Sequence, residues 1–185
     1  MLYFIAIVTP ETINQQVLEW KNYMLQQFNC KVALKSPAHI TLIPPFQMPD
    51  SAQQEMKDHL QSFAAGKESF SIQLKNFAAF KPRVIYVNVL PNDPLKELRT
   101  QLETTLLKSR RFPVKKEDRP FHPHVTIANR DLTKEDFPQA WQHFQSIAYE
   151  ATFTADAISL LRHNGKIWEI VASFPILSSY SSEVH

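Results

Sequence analysis

Glycine is nearly missing from this chain, with two residues in 185 against thirteen prolines. Loops that cradle a phosphate with backbone N–H groups need glycine to bring the backbone onto the anion, so Walker-type and Rossmann-type nucleotide sites are excluded. Any phosphate handled here must be held by side chains. Cysteine is scarcer still. Cys30 alone can form neither an internal disulfide nor a thiolate zinc site, and a single thiol suits a reducing compartment, so a cytoplasmic location is expected. No apolar run approaches the roughly 18 residues that span a bilayer. Residues 1–10 are apolar but lack a basic leader and a small-residue cleavage site, so neither export nor a membrane partner is expected. A large excess of one charge is absent too. A formal charge of +2 is too small for a nucleic-acid coat, and any contact with a polyanion must be local.

What is present is a folded core, with 44% apolar residues, and an order of elements that repeats. Residues 2–8 read as a buried strand stopped at Thr9-Pro10. Thr9 is placed to cap the following helix with Pro10 at its first position, and Ile13, Val17, Trp20, Met24 and Phe28 recur at helical spacing. A short β-branched strand, 39–43, ends at Pro44-Pro45. Asp50 with Gln53 resembles a capping box for a second helix, whose stripe is Met56, Leu60 and Phe63. A strand near 70–77 follows. The order then restarts with a strand at 83–90, a helix opened by Asp93-Pro94 with Leu95, Leu98, Leu102 and Leu106 as its stripe, and a strand at 124–128. A shorter helix carries Phe137, Trp141 and Phe144 on its apolar side. Strands at 149–153, 157–162 and 167–174 close the chain, with Asn164-Gly165 as a hairpin turn. Between the halves the proline ending the first strand moves by 81 positions, Pro10 to Pro91, and a strand histidine by 85, His39 to His124. A duplicated β-α-β-α-β unit of α+β class is inferred.

The sharpest feature is a tetrapeptide that occurs twice, His39-Ile40-Thr41-Leu42 and His124-Val125-Thr126-Ile127, with Pro37 and Pro123 just upstream. In a strand, side chains two apart share a face, so each copy displays one imidazole and one hydroxyl while its aliphatic residues turn to the core. A pseudo-twofold between the halves would bring both polar faces to one small volume. In-line attack on a phosphodiester needs a base for the nucleophile and an acid for the leaving oxygen, and two histidines titrating near neutrality supply both. The threonine hydroxyls can donate to the nonbridging oxygens as charge builds. One His-x-Thr in a chain with seven histidines is unremarkable. Two, at equivalent places in a repeated unit, are not.

On these motifs the chain resembles the two-histidine (2H) phosphoesterase superfamily, which includes RNA 2′,3′-cyclic phosphodiesterases and 2′-5′ RNA ligase-like proteins. The resemblance spans essentially residues 1–175. It implies one bilobal domain of two mainly antiparallel sheets around a central cleft, with helices on the outside. The lobes are expected at about 1–80 and 81–175, with room for strands to be exchanged, and residues 176–185 form a flexible tail that is polar from Ser178. No metal or other cofactor is implied. His39 and His124 would be the general acid and base, and Thr41 and Thr126 the phosphate-binding hydroxyls.

Two departures bear on the substrate. Asn129 stands where many members have arginine, with Arg130 one place later, and Ile43-Pro44-Pro45-Phe46 replaces the Phe-Leu-Gly common after the first motif. Arg130 is therefore either a phosphate contact or a solvated strand end. Phe46 and Phe121 could stack on a base, although core packing is the plainer use of both. Lys108, Arg110, Arg111, Lys115, Lys116 and Arg119 could draw flanking phosphates, or could simply solvate a helix end and loop. His122 shares the parity of His124 but has no carboxylate or cysteine beside it to complete a metal site. The expected partner is a nucleotide or RNA end carrying a cyclic phosphate or a 2′-5′ linkage, with no obligate protein partner. Hydrolysis of the cyclic phosphate is the leading activity, with 2′-5′ ligation or cleavage, or RNA-end binding without turnover, as the rivals.

Overall fold

Apolar runs, as in residues 2–8, and apolar–polar alternation, as in 124–128, set the strands, and stripes at helical spacing set the helices between them. In a computed structural model residues 1–177 are described. The first unit runs β1 (Leu2–Val8), α1 (Glu11–Phe28), β2 (His39–Gln47), α2 (Gln53–Ala65) and β3 (Phe70–Phe80). The second runs β4 (Val84–Val89), α3 (Asp93–Ser109), β5 (His124–Ala128), α4 (Phe137–Gln145) and β6 (Glu150–Ala155). A hairpin of β7 (Ala157–His163) and β8 (Trp168–Pro175) follows.

Two four-stranded antiparallel sheets result, in the orders β2-β1-β7-β8 and β5-β4-β3-β6. Sheet membership does not divide at residue 80, because β3 joins the second sheet and the terminal β7–β8 hairpin completes the first. Each motif strand is an edge strand, antiparallel to the first strand of its own unit. The two edges, β2 and β5, pack against one another. Helix α2 lies on β7 and β8, α1 against β5, α4 against β3, and α3 against β2 and β3.

The period-2 alternation separates the faces as strand geometry requires. Tyr3, Ile5, Ile7, Ile40 and Leu42 from the first sheet and Ile85, Val87, Val125 and Ile127 from the second are buried in one continuous core. On the opposite face of the first sheet Phe4, Ala6 and Leu161 form a small separate cluster with Val8 and Trp168.

Several local expectations change under tertiary contact. Thr9 does not cap α1; its hydroxyl and its amide both donate to the Ala38 carbonyl, at 3.2 and 3.0 Å, which ties the end of β1 to the segment before the first motif. The buried stripe of α1 is Ile13, Val17, Lys21 and Met24, while Trp20 is turned to meet Phe77 and Tyr149 edge-on. Pro44 and Pro45 do not end β2. As an edge strand it needs no partner on its outer side, and both prolines sit exposed where its register against β1 shifts. Asp50 and Gln53 form no capping box, because their side-chain oxygens accept the Tyr3 hydroxyl at 2.7 and 3.2 Å. Asn92 caps α3, its Oδ1 accepting from the Leu95 amide at 2.9 Å.

The Asn164-Gly165 turn forms as expected, with Gly165 at φ 99°, a conformation open to glycine. Ile176 is buried and its amide donates to the Asp156 carbonyl at 2.8 Å, so the chain is anchored past the expected end of the domain at 175. The polar tail from Ser178 lies outside the described residues. Among the described residues no helix is long and apolar enough to cross a membrane.

Candidate active site

Each motif histidine is held by its own backbone. His39 pairs with Val8 and Thr41 with Ala6, so both share the Phe4 face of the first sheet, half-buried between the fully buried Ile40 and Leu42. The Nδ1 atom of His39 lies 2.7 Å from the Pro37 carbonyl. A carbonyl only accepts, so Nδ1 carries the proton and the neutral ring presents a bare Nε2. The segment beneath is braced from two directions. Asn14 Oδ1 accepts the Ala38 amide at 2.8 Å, and Lys21 Nζ donates to the Ser36 carbonyl at 2.9 Å. Phe4 lies against the imidazole at 4.8 Å between centroids and meets Trp168 edge-on at 4.7 Å.

The second motif repeats this arrangement. Thr126 pairs with Tyr86 and His124 with Asn88, again on the face opposite the core. His124 Nδ1 donates to the His122 carbonyl at 2.7 Å, two residues back as in the first motif, and leaves Nε2 bare. Here the brace is aromatic. The Tyr86 hydroxyl is hydrogen-bonded to His122 Nε2 at 3.1 Å, and Phe80 and Tyr86 each stand 5.1 Å from the His124 ring. The ring of His122 is thus engaged by a phenol, and among the described residues no three His, Cys, Asp or Glu side chains gather.

Two cavities meet at Thr41. One, of about 180 Å³, is lined by His39, Thr41, Thr126, Asn129 and Arg130, with Phe4 and Trp168. The other, of about 520 Å³, is lined by Thr41, His124 and His122, with Phe80, Phe121, Arg99 and Arg119. The cleft therefore draws on both motifs. Burial pushes the His39 imidazole down to about 4, with the charges of Lys21 and His124 acting in the same direction against the Pro37 hydrogen bond. Burial also lowers His124, against the hydrogen bond to the His122 carbonyl and with a smaller push from the charge of the His122 ring. Both rings are thereby biased toward the neutral form in the free protein.

Arg130 is exposed at the rim of the smaller cavity, beside Asn129, whose buried Oδ1 has no partner among the described residues. Phe121 is half-buried on the larger cavity, under the Arg99 guanidinium. Phe46 is not brought to the cleft. It has the strand parity of Ile40 and Leu42, opposite to the histidine, and is buried in the core against Tyr3. The basic run before the second motif is partly neutralised, since Arg111 pairs with Glu55 at 2.9 Å and Arg119 with Glu117 at 3.0 Å.

Phe4, Phe80, Tyr86 and Trp168 are cleft residues that sequence reasoning passed over. Phe4 and Tyr86 carry a signal, because each has the parity of the strand residues that pair with a motif. Trp168 arrives on a hairpin distant in sequence.

Comparison with known proteins gives the family and the fold. A family model described as the 2′-5′ RNA ligase superfamily matches residues 9–167. A Bacillus subtilis (strain 168) protein named RNA 2′,3′-cyclic phosphodiesterase is 28% identical over 165 residues, 86% of this chain and 86% of its own. The crystal structure of TT0787 of Thermus thermophilus superimposes with a TM-score of 0.70 at 16% identity, covering 97% of this chain and 100% of that one. Escherichia coli LigT, crystallised with 3′-AMP, gives 0.65 at 16% identity over 94% and 97%. The two structures speak for the fold. The family match includes both motifs and most of the sequence, and on that ground the chain belongs to the 2′-5′ RNA ligase superfamily and is an enzyme.

Proposed function

We propose that the chain is a phosphodiesterase that hydrolyses a 2′,3′-cyclic phosphate on a nucleotide or RNA end, with His39 and His124 as its acid–base pair. The observation that carries this reading is the matched fixing of both rings, each with Nδ1–H on a carbonyl at 2.7 Å and Nε2 turned free. Such a pair can exchange protons only at Nε2. As one Nε2 takes a proton from water, the water oxygen forms a bond to phosphorus. The bond from phosphorus to one ribose oxygen breaks on the opposite side, and the other ring, protonated, delivers its proton to that oxygen. The product is a phosphomonoester beside a free hydroxyl. Thr41 and Thr126 donate to the nonbridging oxygens, where charge builds. Arg130 adds positive charge at the rim. The name of the Bacillus subtilis relative and the 3′-AMP bound by LigT support the substrate class.

Both proton carriers are imidazoles, so activity should be undiminished in EDTA. With both rings below the usual histidine value, the protonated partner is lost early as pH rises, which places the maximum of a bell-shaped kcat/KM profile on the acid side of neutrality. Bound phosphate favours imidazolium and should displace the kcat profile upward.

The test is a panel of 2′,3′-cyclic nucleotides, cyclic-phosphate-ended RNA and 2′-5′-linked oligonucleotides, assayed with the native protein and with His39→Ala and His124→Ala. Each variant should lose about 10²-fold or more in rate. Absence of turnover in the native protein, with affinity for RNA ends retained in both variants, would assign a binding module instead. Activity abolished by EDTA and restored by zinc would rule out the two-histidine chemistry.

A further inference from the structure

The smaller cavity does not end at Arg130. The same residue borders a neighbouring recess of about 290 Å³, walled by residues 130–135 after β5 and by Arg83 at the turn into β4. Arg83, Arg130 and Lys134 line it, and all three are exposed. None of them makes an ion pair among the described residues, where the salt bridges engage Lys75, Arg99, Arg111, Arg119 and Arg162.

The basic run at 108–119 has two of its arginines, Arg111 and Arg119, on carboxylates, whereas Arg130 adjoins the smaller cavity beyond the second motif with Arg83 and Lys134 next to it. Two carboxylates share the recess. Asp131 accepts the Val32 amide at 2.9 Å and the Lys31 amide through its Oδ2, and Glu135 is exposed. Three cations against two carboxylates leave the recess positive.

We propose that this recess holds a second phosphate of the substrate, the one on the 5′ side of the nucleotide whose cyclic phosphate lies at the histidines. The inference rests on the phosphodiesterase reading. A ribose closed by a 2′,3′-cyclic phosphate has its other phosphorylated position at O5′. A second anion beside the first is therefore a 5′-phosphate or the linkage to the preceding nucleotide. One guanidinium has five donors in a planar fork, enough to face an anion on each side. Arg130 holds that shared position, and Arg83 and Lys134 complete the far wall.

Three substrates with one common base separate the possibilities: a 2′,3′-cyclic nucleotide with a free 5′-hydroxyl, the same with a 5′-phosphate, and a dinucleotide ending in the same cyclic nucleotide. The native protein should favour both 5′-phosphorylated compounds by about tenfold in kcat/KM, through KM, and the preference should shrink with added salt. In the Arg83→Ala/Lys134→Ala double variant the preference should vanish while turnover of the 5′-hydroxyl compound stays unchanged. Equal use of all three by the native protein overturns the proposal. So does a preference that survives in the double variant, or one confined to the dinucleotide, which would mean that a base or sugar is being read. Binding provides a measure independent of turnover. A nucleoside 3′,5′-bisphosphate should bind about tenfold tighter than the 3′-monophosphate by calorimetry, and lose that advantage in the double variant. If no cyclic compound turns over but this binding difference is present, the recess stands and the hydrolytic reading fails. Equal binding of the two removes the recess as a phosphate site.

Discussion

A histidine fixed through Nδ1 to a carbonyl depends on whatever holds that carbonyl, and the two motifs answer this differently. Behind His39 stands Lys21, almost fully buried, with Nζ on the Ser36 carbonyl; behind His124 stands Tyr86, bonded to His122. Burial draws the Lys21 ammonium down to about 8, so near neutrality it is still charged and opposes protonation of His39. Lys21→Met removes that charge while keeping an apolar stem of similar length. The His39 pKa should then rise, moving the acid limb of the kcat/KM profile to higher pH, with the limb read as a property of the coupled pair. An acid limb that stays in place would detach Lys21 from the site. The motif residues themselves were legible in the sequence because alternation along one strand is local. Trp168 was not, since what places it on Phe4 beside His39 is pairing between β1 and the β7–β8 hairpin, over 150 positions away.

The strand at 2–8, read from an apolar run stopped at Thr9-Pro10, and the strand at 124–128, read from β-branched alternation, came out at their observed limits. The misreading of β2 has a specific cause. Proline stops a central strand but is tolerated on an edge, and edge position is a property of the sheet that no single segment carries. The expected caps failed for a similar reason. Thr9 and Asp50 have the right chemistry for a helix start, yet tertiary partners, the Ala38 carbonyl and the Tyr3 hydroxyl, claim them first. Asn92 meets no such competitor for Oδ1 and caps α3. Asn92→Ala should therefore lower unfolding stability by about 1 kcal/mol in urea titration, with catalytic constants unaffected, because Asn92 itself lines neither cavity. A stability unchanged by the substitution would show that α3 does not depend on its cap.

At the scale of the whole molecule, the repeat of element order and the near-constant offset between halves were visible in the sequence, and they suffice to pair the motifs conceptually. They do not reveal that β3 crosses to the second sheet while the chain's last two strands complete the first. That exchange gives each motif an edge strand facing its counterpart, so that His39, Thr41 and Thr126 line one cavity and Thr41 and His124 the next. The central claim is that the two imidazoles serve one phosphate as a unit. Residues acting as a unit are strongly non-additive, so the decisive measurement is the hydrolysis rate of a 2′,3′-cyclic nucleotide by the His39→Ala/His124→Ala double variant, set against each single variant. The account predicts that the double variant is about as slow as the slower single one. Losses that multiply would contradict it, since the two rings would then be acting independently.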